Sequence, residues 1–243
     1  MAGTIALPLT GSPRPGRSAS ARHTGAVVAA VLAIALLGAV AQHRAGLHAG
    51  AAPHHPHMVP VFVALIVVEW ALVYFIGQGL RATGLAWRDL AGSMPLNAKS
   101  LLLDAAVALG ACICWLVMQA MGRALVHHNT VSIAHLLPRG ALELSLWAGV
   151  AITAGICEEL IFRGYLQRQF ALRTGRPTLA LAMQAALFGA AHLYQGVQTS
   201  VLIAFAGLLF GAVALWRRNL RPGMMAHTAI DLLPVLVYRL LHP

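Results

Sequence analysis

Three short motifs in the second half of the chain carry acidic and imidazole side chains at spacings that suit proton transfer. Their residues are Glu158, Glu159 and Arg163 in "EELIFR", Phe188 and His192 in "FGAAH", and His227 and Asp231 in "HTAID". Carboxylates and imidazoles are the usual general acids and bases of enzymes. The motifs therefore predict acid–base chemistry, provided that the fold brings them together.

The two adjacent glutamates are expected to differ in role, because successive residues of a helix point about 100° apart. Glu159 precedes Arg163 by four residues with the acid on the N-terminal side, which is the favourable order for an ion pair. Glu158 has no such partner on its own helix. An unpaired carboxylate in apolar surroundings either keeps a proton or is held by a polar group of another helix. Both states suit a general base, so Glu158 is the predicted base.

Each histidine lies four residues from a partner on the same helical face. Small residues separate Phe188 from His192, and small residues allow helices to approach closely. In "HTAID" the Asp231 carboxylate can accept a hydrogen bond from one ring nitrogen of His227, which would fix the tautomer and orient the other nitrogen. Asp231 is therefore predicted to orient His227.

The composition places these motifs in a membrane protein. The 243 residues are 59% hydrophobic and only 10% charged, and the mean hydropathy is +0.74, far more apolar than is usual for soluble domains. The net charge of +10 does not indicate nucleic-acid binding, because the arginines are scattered between apolar runs. An ionisable residue inside a membrane span is by default a functional candidate.

The predicted fold is an all-α, polytopic transmembrane helical bundle of about seven spans, with a catalytic cavity between the helices. Apolar runs near the ~20 residues that cross a bilayer occupy 25–42, 58–79, 98–121, 141–160, 178–196, 199–216 and 223–241. Residues 1–23 are rich in proline, glycine, serine and arginine, which predicts a disordered cytoplasmic tail. Residues 24–243 are predicted to form the membrane domain.

The basic residues predict the orientation of this domain. If the N-terminus is inside, only Arg44, Arg123, Arg139 and Arg239 lie on the outer side. The positive-inside rule then places the N-terminus in the cytoplasm and the C-terminus outside. We expect a multi-pass protein of the cell membrane, in bacteria the inner membrane.

The first apolar run has two interpretations. Ala39 and Ala41 form a small-residue pattern that resembles a signal-peptide cleavage site. The polar lead of about two dozen residues is long for a signal peptide, and the apolar run is longer than the usual hydrophobic region. We therefore favour a retained helix.

Three acidic residues in the apolar runs stand alone, namely Glu69, Asp104 and Glu143. Each is predicted to make a polar contact between helices or to lie at a membrane interface. The break at Gly175 lies midway between Glu158 and His192, so antiparallel helices turning there would bring these two residues level. His227 fits less well, because hydropathy places it at the inner end of the last run, and a broken or tilted helix around a water-filled cavity is expected.

In order and spacing, the three motifs resemble the EExxxR, FxxxH and HxxxN/D motifs of the CPBP family. This family, also called Abi, groups type II CAAX prenyl proteases with bacterial proteins linked to bacteriocin processing and self-immunity. The resemblance covers about 150–235 and implies an intramembrane endopeptidase whose cavity admits water and an extended substrate. It implies that Glu158 and His192 activate water and that His227 and Asp231 serve the oxyanion. Support of the helix is implied for Glu159, Arg163 and Phe188.

Position 231 departs from the prenyl proteases proper, which usually carry asparagine there. An ionised aspartate offers no donor to an oxyanion, so the orienting role is favoured for Asp231. Aspartate is common among the bacterial members, which leaves the substrate open. The implied partners are membrane lipid and a peptide or protein with a membrane-associated segment, and a farnesylated CaaX protein is not implied.

Two other functions remain open on the sequence. A zinc protease could use Glu158, His192 and His227 as metal ligands with a bound water. A non-catalytic immunity or transport protein could use the same polar groups as a proton or ion relay. We favour metal-free water activation and predict no cofactor, because paired carboxylates and imidazoles suffice for it.

Overall fold

The computed structural model describes residues 18–47, 57–92, 95–125 and 137–241, and every regular element in these ranges is helical. The elements are α1 (Ala21–Leu47), α2 (Val59–Thr83), α3 (Arg88–Ala91), α4 (Ala98–Leu125), α5 (Gly140–Glu158), a π-helical segment (Glu159–Leu166), α6 (Gln167–Thr174), α7 (Pro177–Ala191), a 3₁₀ turn (Leu193–Gln195), α8 (Val197–Arg217) and α9 (Arg221–Leu241). The all-α prediction is confirmed. Most of the predicted tail over 1–23 lies outside the described residues.

Each of the seven predicted apolar runs falls on a helix. Five helices are long and apolar enough to cross a membrane, namely Ala21–Arg44, Val59–Thr83, Ala98–Ala124, Gly140–Thr174 and Val197–Arg217. The helix α7 has 15 residues, which is short of the ~20 that span a bilayer. The polytopic helical bundle is thus confirmed, with five helices both long and apolar enough to span among the described residues, and the number of about seven spans stays a prediction.

The fourth helix extends beyond its apolar run and ends at the break that the sequence predicted at Gly175. The apolar run ends at residue 160, whereas α5, the π-helical segment and α6 continue without a break to Thr174, and Gly175 follows in a left-handed conformation. Hydropathy falls after residue 160 because Arg163, Gln167 and Gln169 follow, yet all three side chains are buried. π-Helical turns inside α-helices occur frequently at functional sites, and this one begins at Glu159.

One end of the bundle is held by an ion-paired group that we call the arginine cluster, formed by Asp104, Arg217, Asn219 and Arg221. The fully buried Asp104 accepts from Arg217 at 2.9 Å and pairs with Arg221 at 2.8 Å. Asn219 Nδ2 also donates to Asp104, at 3.4 Å. The cluster joins α4 to the α8–α9 junction, so Asp104 makes the interhelical polar contact predicted for it.

Hydrogen bonds to backbone carbonyls hold further elements at this end. Leu220 N donates to Ala91 O at 3.0 Å, and Arg168 Nη1 donates to Asp89 O at 3.3 Å. Arg173 Nη2 donates to a carbonyl just before α1 at 2.7 Å. Arg168, Arg173, Arg217 and Arg221, which the sequence assigned to one side of the membrane, thus hold several elements at this end of the bundle.

The first turn of α5 is fixed to the start of α2 by Glu143. Its carboxylate accepts from Met58 N at 2.9 Å and from Arg139 N at 2.7 Å. One turn further along both helices, the rings of Phe62 and Trp147 pack edge to face with centroids 5.5 Å apart. The two helices therefore run parallel and in register, and Glu143 makes the polar contact predicted for it.

Candidate active site

The site forms where α5 and α9 cross closely. A β-carbon added to Gly155 would overlap the Thr228 hydroxyl and the Met224 backbone, so this approach requires glycine. A β-carbon at Gly223 would likewise press on the carboxylate of Glu159. These two contacts bring the "EELIFR" segment against the first turns of α9.

His227 lies between the two adjacent glutamates and turns a different ring nitrogen to each. Nδ1 is 3.3 Å from Glu159 Oε1, within hydrogen-bond distance. Nε2 is 3.6 Å from Glu158 Oε2 and 3.6 Å from Asp231 Oδ2, which is too long for a direct hydrogen bond. We call Glu158, Glu159, His227 and Asp231 the carboxylate cluster.

The sequence predicted that Asp231 orients His227. In the structure the contact within hydrogen-bond distance comes from Glu159 instead. An ionised carboxylate only accepts hydrogen bonds, so Nδ1 carries a proton toward Glu159. A lone pair at Nε2 would then face the carboxylates of Glu158 and Asp231, which is repulsive. The doubly protonated ring fits this surrounding, and it presents an N–H donor at Nε2.

Glu159 also forms the predicted ion pair with Arg163, at 2.9 Å with both side chains fully buried. The Arg163 guanidinium lies over the ring of Phe188, 4.1 Å from its centroid, and 5.4 Å from that of Phe210. Cation–π contacts of this kind are favourable where water is excluded. Arg163 is therefore held by one carboxylate and three aromatic rings, the third being that of Phe162 at 5.9 Å.

Phe188 brings the two histidines together. Its ring packs edge to face against His192, with centroids 4.9 Å apart, and against His227 at 5.9 Å. The Phe188 carbonyl accepts from His192 Nδ1 at 2.9 Å, and because a carbonyl cannot donate, Nδ1 carries the proton. The Nε2 lone pair of His192 is then available as a proton acceptor.

Exposure within the carboxylate cluster rises from one side to the other. The side chain of Glu159 is 0% exposed, that of His227 8%, that of Glu158 17% and that of Asp231 33%. Asp231 also interacts electrostatically with both Glu158 and His192. The cluster thus has a dry side at Glu159 and an open side at Asp231.

The structure brings the predicted site residues into one group. His227 lies next to Glu158, Glu159 and Asp231, and Phe188 packs against both His227 and His192. Hydropathy had put His227 at the inner end of the last apolar run, where it fitted less well with the other motifs. The fourth helix continues to Thr174, so Glu158 lies near its middle. His227 reaches it from the second turn of α9.

Sequence reasoning missed the relation of Glu69 to this site. Glu69 on α2 interacts electrostatically with Glu158, His227 and Asp231. Its Oε2 atom is buried and has no hydrogen-bond partner among the described residues. The lone glutamate in an apolar run was a sufficient signal for chemistry, but it was assigned to a helix contact.

Tyr194 is a second residue that sequence reasoning missed, in the short turn after α7. Its ring stacks on His192 with centroids 6.0 Å apart, and Gln195 Nε2 donates to its hydroxyl at 2.9 Å. Burial raises the pKa of the Tyr194 phenol to about 12. The phenol therefore stays protonated at neutral pH beside His192. The residues "LYQ" directly after "FGAAH" gave no distinctive signal.

The zinc interpretation needs a set of convergent ligands. In the part of the chain that the structure describes, no group of three or more His, Cys, Asp or Glu side chains is arranged to hold a metal ion. Glu158, His192 and His227 therefore do not form the ligand set that this interpretation requires.

Comparison with known families addresses the resemblance seen in the motifs. Residues 140–233 match the model of the Rce1-like family, described as Type II CAAX prenyl endopeptidase Rce1-like. The family resemblance is confirmed. No curated protein and no solved structure matches the chain. The Rce1-like segment begins with α5 and contains the carboxylate cluster, His192 and Phe188, whereas Glu69 lies outside it. The matched segment covers less than half of the chain, and the apolar helices indicate a multi-pass membrane protein.

Proposed function

We propose that the chain is an intramembrane endopeptidase of the glutamic type, which hydrolyses a peptide bond of a membrane-associated or modified peptide or protein. The observation that carries this proposal is the difference in polar partners between two neighbouring histidines. The carbonyl partner of His192 Nδ1 leaves a lone pair at His192 Nε2, whereas the carboxylates around both ring nitrogens of His227 favour a proton on each. Groups whose surroundings separate their proton states in this way are typical acid–base pairs.

Glu158 and His192 would activate the attacking water. Glu158 Oε2 is buried and without a hydrogen-bond partner among the described residues, so it can accept a proton from water. His192 Nε2 can accept the second hydrogen bond of the same water and fix its direction. General-base catalysis of this kind contributes ~10²–10⁴-fold to a rate.

His227 would stabilise the oxyanion that forms on the substrate carbonyl. Its Nε2–H points to the open side of the cluster, and the hydrogen bond from Nδ1 to Glu159 holds the ring in place. Asp231 would keep the imidazole protonated by its charge and would not contact the oxyanion as a donor. Loss of one such donor costs ~10²–10³-fold in rate.

The dry side of the site supports this division of roles. Arg163 neutralises Glu159, and the pair lies under the rings of Phe188 and Phe210. Glu159 therefore stays a carboxylate that can hold His227 through a turnover. Phe188 positions His192 through its carbonyl and so has a structural role.

The substrate and the setting of the protein are part of the proposal. The family is named for prenyl endopeptidases, and a lipid-bearing peptide would suit a site reached from the membrane. We place the protein in the cell membrane, in bacteria the inner membrane, with a cytoplasmic N-terminus and an outer C-terminus. Reporter fusions after residue 243 test the orientation, because a cytoplasmic signal there would contradict it.

Purified protein in proteoliposomes, supplied with synthetic acylated and unmodified hydrophobic peptides, tests the function. Mass spectrometry in ¹⁸O-water should detect two products, one with the label in its new carboxylate. Glu158→Gln should form neither product, and a metal chelator should leave the rate unchanged. Inactivation by the chelator with recovery on zinc would favour the metalloprotease. Ion flux without cleavage would favour the relay.

A further inference from the structure

Glu69 is the one acidic residue near the carboxylate cluster that the proposed mechanism leaves without a role. It belongs to a stripe of α2 residues at spacings of three and four, namely Phe62, Ile66, Glu69, Val73, Ile76 and Leu80. Phe62 and Ile66 pack with Val150 of α5, and Val73 and Ile76 pack in the cluster that contains Cys157 and Ile161. Glu69 therefore lies on the face of α2 that contacts α5.

The register of the two helices sets the level of Glu69. The hydrogen bond from Met58 to Glu143 joins residues 85 positions apart, and the Phe62–Trp147 ring contact repeats the same offset. This offset puts Glu69 level with Ala154, which is one helical turn, about 5.4 Å, from Glu158. A glutamate side chain can cover that distance, and Glu69 interacts electrostatically with Glu158 more strongly than with His227 or Asp231.

One row of α5 side chains faces the site. The helix α2 packs on one side of this row, and α9 packs on the other. Trp147 and Glu158 belong to this row, at helical spacing with two buried alanines between them. Trp147 contacts Phe62 of α2 with its ring and donates to the Asp231 carbonyl of α9 at 3.1 Å. Glu69 on one wall and Asp231 on the other thus flank Glu158.

The charges around Glu69 favour its neutral form. Glu158 and Asp231 are its acidic neighbours, and His227 is the only cationic group in this set. His227 is already bound to Glu159, and Glu69 Oε2 has no hydrogen-bond partner among the described residues. A buried carboxylate without a partner is costly, and like charges in one site cannot all ionise.

We propose that Glu69 keeps a proton in the resting protein and is the general acid that protonates the departing amine. This step rests on the proposed function. Water oxygen bonds to the carbonyl carbon while its proton passes to Glu158. As the carbon–nitrogen bond breaks, the Glu69 proton passes to the amine nitrogen. The proton on Glu158 then returns to Glu69, which restores both carboxyl groups, and no other reactant is needed.

Two substrates of one acyl segment separate this role from a structural one. A peptide amide needs a proton on its leaving nitrogen, whereas an activated aryl ester releases a phenolate without one. Glu69→Gln keeps the size and polarity of the side chain but has no proton to transfer. We expect it to lower kcat on the amide by about 10²-fold and to change kcat on the ester less than about threefold.

Val73→Ala is the matched control, one turn along the same face of α2. It removes buried packing and should lower thermal stability while leaving the amide-to-ester ratio of kcat unchanged. An infrared difference spectrum of wild type minus Glu69→Gln at neutral pH gives a readout without substrate. This difference spectrum should contain the C=O band of a protonated carboxylic acid. The control spectrum of wild type minus Glu143→Gln should lack that band, because Glu143→Gln leaves the protonated acid in place.

The outcomes distinguish the two proposals. Cleavage by the wild type with equal losses on amide and ester, or with no loss on either, overturns the acid role of Glu69 and leaves the peptidase standing. Absence of the carboxylic acid band overturns the same role. If the wild type cleaves neither substrate under any condition, the peptidase proposal fails and the acid role fails with it.

Discussion

The arginine cluster and the carboxylate cluster are two polar groups in one apolar bundle, and they balance charge in opposite ways. In the arginine cluster, one buried carboxylate meets two guanidinium groups, with each oxygen of Asp104 within 2.9 Å or 2.8 Å of an arginine nitrogen. In the carboxylate cluster, three acids share one imidazole, and the only arginine is bound to Glu159.

The difference indicates what each cluster is for. A carboxylate neutralised by two arginines joins helices and has no reason to exchange protons. A group with more acids than cations, exposed on the Asp231 side, has carboxylates that are free to accept protons. Both clusters appeared in the sequence as acidic residues within apolar runs, so the partners from other helices make the distinction.

The largest expected effect is that of Glu158→Gln on turnover. Removing the proposed base should lower kcat by about 10²–10⁴-fold, while the thermal unfolding temperature in detergent stays near that of the wild type. Glu158 has no ion pair in its own helix, and its 3.6 Å contact with His227 Nε2 is too long for a hydrogen bond, so its loss should cost little stability. Initial rates and unfolding curves from the same preparation check this. A normal rate would remove Glu158 from the chemistry.

Glu159→Gln should reduce stability and activity together, because Glu159 forms a buried ion pair with Arg163 and also holds His227 in the site. It leaves Arg163 buried without its carboxylate, and such a loss costs ~3–5 kcal/mol. It also weakens the contact that holds His227. Chemical unfolding and initial rates measure the two effects. A stable and fully active variant would show that the ion pair contributes to neither.

Asp104→Asn should reduce stability alone. It leaves Arg217 and Arg221 facing one neutral amide, and because these side chains are 12% and 21% exposed, we expect the low end of the range, about 3 kcal/mol. The rate per folded molecule should match the wild type. An inactive but well-folded variant would place the arginine cluster in the chemistry and remove the contrast.

Asp231→Asn should have the smallest effect, a loss of less than about tenfold in kcat. The asparagine cannot hold charge near His227, but it supplies a donor on the open side of the cluster. His227→Ala, measured beside it, should lose ~10²–10³-fold. If Asp231→Asn is impaired as severely as His227→Ala, then Asp231 has a role beyond its charge.

The sequence predicted the helices well and selected motif residues that the structure brings close together, because both depend on local patterns. Each apolar run fell on a helix, and the spacing of Glu159 and Arg163 predicted an ion pair that forms at 2.9 Å. Hydropathy failed only where buried polar residues follow an apolar run. Arg163 and Gln167 are such residues, and the continuation of the helix to Thr174 was predicted from the break at Gly175 and not from hydropathy.

The contacts between helices could not be predicted in the same way. Spacing along one helix shows which residues share its face, but not what another helix brings to that face. His227 therefore proved to be held by Glu159 from another helix and not by Asp231 from its own. The relation of Glu69 to the carboxylate cluster could not be predicted for the same reason, since nothing along α2 indicates which charged groups of other helices face Glu69.

The most direct test of the central claim is a head-to-head measurement of Glu158→Gln and Asp104→Asn. Both remove one buried negative charge and keep an amide of the same shape. Product formation from one peptide is measured in ¹⁸O-water at equal amounts of folded protein, with thermal unfolding recorded alongside. We expect no labelled product and normal unfolding for Glu158→Gln, and normal labelled product with early unfolding for Asp104→Asn. The reverse pattern, or labelled product at the wild-type rate from Glu158→Gln, would contradict the assignment of chemistry to the carboxylate cluster.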